Sequence, residues 1–208
     1  MMKFGVIRVI VLLLTFNLTL AVPGAWAESP TDAVKSVVDE VLRILQDPAL
    51  KAPAMKKQRR DRVKQVVDRR FDYTEMARRS LGAPWRSLSA GQRQEFVRLF
   101  GELLEASYSG KVMNYQGEKI QYLREIPEDA DYAEVRTVVL RKNDKIPMNY
   151  RLMRTDQGWM VYDVVIEGVS LVSNYRSQFS QVIRESSYNG LVSRLRTKIN
   201  ELQRTGGV

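Results

Sequence analysis

The feature that most restricts the fold is a change of hydrophobic period between Lys119 and Glu167. Across that stretch apolar and polar residues alternate in four runs, over 120–126, 132–141, 146–154 and 159–166. A period of two sends successive side chains to opposite faces of a strand. The runs are separated by Pro127 to Asp131, Asn143-Asp144 and Asp156-Gln157-Gly158. Gaps this short suit hairpins and exclude crossovers. They predict a four-stranded antiparallel meander, whose inner face must be covered by other parts of the chain.

The cover comes from both sides of the meander. Val34, Val37, Val38, Val41, Leu42 and Leu45 recur at helical spacing until Pro48, and a second helix begins near Met55 around Val63, Val66 and Val67. Asp72 precedes Glu75 by three residues, so the first can cap a short helix and the second can reach back to it; Gly82 and Pro84 end that helix. Ser89 and Gln92 repeat the spacing before the longest helical pattern, Phe96, Leu99, Phe100, Leu103, Leu104, Tyr108 and Val112, which Gly117 closes. After Gly168 the helical period returns with Leu171, Tyr175, Phe179, Val182 and Ile183, and again from Leu191 to Leu202. The order helices, sheet, helices reads as an α+β fold: a curved four-stranded antiparallel sheet packed against helices from both ends of the chain. A gap between those layers is where an apolar ligand would go.

The beginning of the chain has a different character. Lys3 and Arg8 flank the start of an apolar run from Val9 to Leu20, followed by Ala25-Trp26-Ala27. The run falls short of the roughly 20 apolar residues that span a bilayer, and its flanks match a secretory signal peptide. The expectation is a signal peptide over 1–27, cleaved after Ala27, and one domain over 28–208. No Cys follows the run, so a lipoprotein anchor is excluded.

Composition narrows the chemistry. The 208-residue chain has no His and no Cys. Zinc and copper sites draw mainly on those residues, and Ser/His/Asp or Cys/His catalysis needs an imidazole. An exported chain without cysteine must also be held together by its core instead of disulfides. No metal centre, cofactor or catalytic residue is expected, and a hydrolase would have to work on carboxylates, Lys or Tyr alone. The formal charge is +9, or +7 once Lys3 and Arg8 are removed. Such a balance suits nucleic acid, an anionic membrane or an acidic protein partner, and export leaves nucleic acid the poorest of the three.

Individual motifs have plain readings. Glu128, Asp129 and Asp131 lack the alternating ligands and central glycine of a calcium loop, and read as a hairpin turn. Asp163 and Glu167 lie four strand positions apart, roughly 13 Å at about 3.3 Å per residue. That exceeds the separation of a glycosidase carboxylate pair, so hydrogen bonding or ion pairing at the sheet end is expected instead. In Gly168-Val169-Ser170 the second glycine of a nucleophile elbow is replaced by Val172, and Ser170 reads as a helix cap. The basic stretch from Lys56 to Arg70 is either a solvated helix face or a docking surface, with Lys56, Arg59, Arg60 and Lys64 as its candidate contacts.

Three passages carry a family likeness: residues 71–85 (FDYTEMARRSLGAPW), the Phe96-Val97-Arg98-Leu99-Phe100 segment with Leu103, Leu104 and Tyr108, and residues 159–171 (WMVYDVVIEGVSL), continued by residues 174–179 (NYRSQF). Here the sequence resembles the MlaC and toluene-tolerance family of periplasmic phospholipid-binding proteins, over essentially 31–202. The resemblance implies a periplasmic carrier that holds phospholipid tails in a cavity between a curved sheet and helices. It also implies two partners: an outer-membrane lipoprotein complex and an inner-membrane ABC transporter with a ring-forming lipid-binding subunit, together maintaining lipid asymmetry. Candidate lipid-binding residues are Leu103, Val135, Val139, Met148, Tyr150, Leu152, Val161, Val169, Leu171 and Tyr175. If the sheet presents its other face, Val138, Leu140, Tyr162, Val164 and Ile166 replace the strand members. A periplasmic adaptor with a filled core, and a carboxylate hydrolase, remain as competing readings.

Overall fold

A computed structural model describes residues 28–205 of the chain; the expected signal peptide lies outside them. Helix α1, Pro30–Gln46, starts at the Ser29 cap, whose Oγ accepts from the Asp32 backbone N–H, with Pro30 supplying the preset first turn. Two short 3₁₀ turns at Pro48–Leu50 and Pro53–Met55 lead into α2, Lys56–Asp68. Asp72 caps α3, Tyr73–Leu81, by accepting from the Glu75 N–H at 2.9 Å. Glu75 does not reach back as expected. Its carboxylate is instead held by Arg78 and Arg79, two charged donors, while the Asp72 N–H it would have capped is taken by the Val161 carbonyl. Gly82 ends the helix at φ 69°. The Ser89/Gln92 capping box is complete in both directions at the start of α4, Ala90–Met113.

The sheet follows as β1, Lys119–Pro127, β2, Tyr132–Leu140, β3, Lys145–Thr155, and β4, Gly158–Ile166, each antiparallel to its sequence neighbour. A fifth strand, β5 (Val169–Ser170), extends the expected four. It arises because Glu167 and Gly168 both adopt positive φ, a two-residue turn that folds Val169 back onto Ile166 before the last helix begins. Two irregularities shape the sheet. Leu123 is an extra residue in β1 and is 53% exposed; Tyr162 is an extra residue in β4, between Val161, opposite Leu152, and Asp163, opposite Arg151. Each bulge moves the rest of its strand to the other face and adds twist.

The last helix, α5 (Leu171–Thr205), is interrupted at Ser187, whose φ of 79° and ψ of 173° are not helical. The two apolar centres of the chain are distinct. One is helical, joining Met76 and Leu81 of α3, Phe96, Phe100 and Leu103 of α4, and Tyr175, Phe179, Leu191 and Leu195 of α5. The other lies between α1 and the sheet, joining Ala33 and Val34 to Ala133, Val135, Tyr150, Leu152, Trp159, Val161 and Val164. Phe71 packs against both. Its segment also pairs with the free edge of β4, where the Val161 N–H donates to the Arg70 carbonyl and the Asp72 N–H to the Val161 carbonyl.

Candidate lipid-binding site

The cross-strand register decides which side chains share the α1 side of the sheet. Val135 stands opposite Tyr150, Val139 opposite Ile146, and Leu152 opposite Val161. Val135, Tyr150, Leu152 and Val161 are buried in the layer beneath α1, and Met148 and Leu171 are packed at its margin. Val139 is half-buried on the same side of β2. Leu103 and Tyr175 belong to the helical centre instead, and Val169 is 55% exposed at the sheet edge.

The alternative set divides. Because of the Tyr162 bulge, Val164 and Ile166 join Val161 beneath α1. Val138 and Leu140 alternate with Val139 and so lie on the other side. Tyr162 leaves the layer altogether: the Arg79 guanidinium sits 4.1 Å from its ring centroid, and Tyr132 meets it edge-on.

The opposite side of the sheet is polar. Glu134 accepts from Arg136 and Arg151, and Arg151 also reaches Asp163 at 3.4 Å. Asp163, 2% exposed, accepts from the Ser170 hydroxyl at 2.6 Å and from the Val172 N–H at 3.1 Å. Ser170 in turn caps α5 through the Ser173 N–H. The ion-pairing role expected of Asp163 is therefore the joint between sheet and helix. The acidic cluster is a turn, as expected, with the Asp129 carboxylate accepting from the Asp131 N–H.

The wall formed by α1 is thin. It offers Ala33, Val34 and Val38 to the sheet, short side chains throughout. Hydrogen bonds at its two ends hold it: Thr31 donates to the Glu125 carboxylate, and Gln46 donates to the Tyr115 hydroxyl. Arg69 of the α2 terminus pairs with Glu40 midway. Among the four candidate docking cations, Lys64 pairs with Asp68 and Arg60 lies 3.9 Å from Glu105. Lys56 is exposed; Arg59 shares the flank of Val63 and Val66, and its Nε is buried without an acceptor among the described residues. A concavity of about 430 Å³ bounded by Gln92, Tyr188, Val192 and Arg196 contains none of the candidate lipid-binding residues.

A family model described as the MlaC protein matches residues 35–197. The chain belongs to the MlaC family. The intermembrane phospholipid transport system binding protein MlaC of Haemophilus influenzae is 27% identical over 126 residues, which are 58% of this chain and 59% of that protein. The matched part is thus less than two thirds of that relative's length. A phospholipid-binding protein from Ralstonia solanacearum, solved in complex with a phospholipid, superposes with a TM-score of 0.74 and 29% identity, covering 82% of this chain and 97% of that one. MlaC-family membership thus accounts for the α+β layering, and the likenesses are to proteins of phospholipid binding and transport. Among the described residues, no helix is long and apolar enough to cross a membrane, and no cluster of His, Cys, Asp and Glu could hold a metal ion.

Proposed function

We propose that this chain is a periplasmic phospholipid carrier, released by cleavage after Ala27, that holds acyl chains between α1 and the curved sheet without catalysis. The observation that carries the reading is the apolar layer of Val135, Tyr150, Leu152, Val161 and Val164 beneath a wall of Ala33, Val34 and Val38. At about 0.8 kcal/mol per buried CH₂, a lipid with two long chains stands to lose on the order of 20 kcal/mol in water. A carrier must therefore offer a dry, alkane-like surface, and a wall of short side chains facing the sheet leaves room for the tails.

In this reading the protein ferries lipid between an outer-membrane lipoprotein complex and the ring-forming lipid-binding subunit of an inner-membrane ABC transporter. The cationic face of α2, through Lys56, Arg59, Arg60 and Lys64, assists docking. The experiment is native mass spectrometry of protein purified from the periplasm, followed by organic extraction. Phospholipid in stoichiometric amount supports the carrier. Protein that releases none, and takes up none from vesicles, would instead be a periplasmic adaptor.

A further inference from the structure

Among the described residues, the layer beneath α1 sets three hydroxyls, those of Thr137, Tyr122 and Tyr150, among its apolar side chains, and of these Thr137 alone has a full partner. Thr137 donates to the Met148 carbonyl at 2.5 Å. Tyr150 is 9% exposed, and among the described residues the one acceptor its hydroxyl reaches is the Met148 thioether sulfur at 3.2 Å, a weak acceptor. The Tyr122 hydroxyl oxygen is shut off from solvent and has no hydrogen-bond partner among the described residues. Both phenols rise from the α1 side of the sheet on either side of β2, Tyr122 opposite Thr137 and Tyr150 opposite Val135. Burial raises the pKa of Tyr150 to about 12; Tyr122 is raised as well, by burial first and then by the nearness of Tyr150 and Asp39. Both therefore stay protonated and stay donors at any physiological pH. Asp39, the acid near Tyr122, is exposed and accepts no hydrogen bond from it.

A buried donor without an acceptor is costly, and phenylalanine of nearly the same shape would avoid the cost. Two such donors in an otherwise apolar layer are explained if the ligand brings the acceptors. Among the described residues no Lys or Arg is buried, so an anionic phosphate drawn into the layer would be desolvated without a buried counter-charge. A neutral acceptor that travels with the tails fits, and in a glycerophospholipid that is the pair of ester carbonyls on adjacent glycerol carbons. Resting on the carrier reading above, we propose that the Tyr122 and Tyr150 hydroxyls form a polar subsite that donates hydrogen bonds to the ester carbonyls of a bound diacyl phospholipid. The subsite fixes how deep the tails descend and leaves the headgroup toward solvent.

The test compares a diacyl phosphatidylethanolamine with its dialkyl ether analogue, which has the same tails and headgroup but no carbonyls. Uptake from vesicles is measured on delipidated full-length mature protein, for the wild type and for Tyr122→Phe/Tyr150→Phe. One or two ordinary hydrogen bonds correspond to about a tenfold preference for the ester lipid in the wild type, lost in the double variant. Equal uptake of both lipids by the wild type overturns the subsite while leaving the carrier intact, and needs no variant that might misfold. A preference that survives in the double variant overturns it too. Uptake of neither lipid by the wild type removes the carrier reading and the subsite with it.

Discussion

A carboxylate placed on one strand face at two depths separates the lipid layer from the core that supports it. Leu152 is 0% exposed and lies between Ala133 and Val161 of the neighbouring strands. An ionised Glu there has no partner and costs several kcal/mol, a large share of the 5–15 kcal/mol that holds a domain together. Met148, four residues earlier on the same face, is half-buried, with Thr137 and Ile166 opposite. Glu at that position can keep its carboxylate at the water margin, and the Tyr150 hydroxyl that meets the Met148 sulfur can donate to it instead. The stability cost should be about 1–2 kcal/mol. Tails are affected more: a charge that keeps three or four methylenes from the wall removes about 3 kcal/mol of transfer energy, roughly a hundredfold in affinity. Leu152→Glu should therefore lose cooperative thermal unfolding by circular dichroism. Met148→Glu should remain folded and purify with little phospholipid, read by mass spectrometry after extraction. A folded Met148→Glu protein carrying the wild-type amount of lipid would refute the placement of tails beneath α1.

Three other outcomes follow from the polar contacts. Asp163→Ala strands the Val172 N–H and the Ser170 hydroxyl while Arg151 keeps Glu134; urea denaturation should register a loss of about 3 kcal/mol, partly recovered in Asp163→Asn. Burial works to raise the Glu75 pKa, but hydrogen bonds from Arg78 and Arg79 outweigh it and hold the carboxyl below its ordinary range. Its stabilisation is thus complete above the unfolded value of about 4.3 and is lost as pH falls through the lower folded value, so Glu75→Gln should flatten the acid side of the stability profile. Reversing Lys56, Arg59, Arg60 and Lys64 to Glu should slow association with an acidic partner or anionic vesicles and weaken its salt dependence, with lipid content unchanged. Equal rates at low salt would leave that helix face merely solvated.

Much of the fold is legible because local signals agree with one another. The Ser89/Gln92 capping box, the Ser170 cap and the Asp72 cap all sit where the helical period begins, and each makes the bond its spacing predicts. The hairpins of the meander are equally plain, since each gap carries its own turn residues. What spacing cannot convey is competition at a distance of three or four residues. Glu75 has the position of a reciprocal cap, yet Arg78 and Arg79 on the next turn take its carboxylate. Nor does alternation report a two-residue strand such as β5, too short to express a period.

The site is harder because strand parity is a global property decided by single residues. From alternation alone, either Val161 or the pair Val164 and Ile166 faces the helices, never all three. The extra residue at Tyr162 removes that choice by letting the strand change faces midway, and all three end beneath α1. Tyr162 has what a bulge residue needs, a partner off the sheet: the Arg79 guanidinium lies over its ring, and Arg79 is itself fixed by Glu75. The bulge also has a consequence for the joint with α5. It turns Asp163 to the polar side, where Arg151, Ser170 and the Val172 N–H meet it. Looping Tyr162 out of the pairing thus keeps Val164 and Ile166 on the apolar wall and the acid that anchors the last helix on the opposite side. Deleting Tyr162 should therefore be mild for both faces: Val161 and Asp163 would alternate regularly, Asp163 would stay opposite Arg151 and Val164 beneath α1, and the loss would be the local twist and the ring that Arg79 covers.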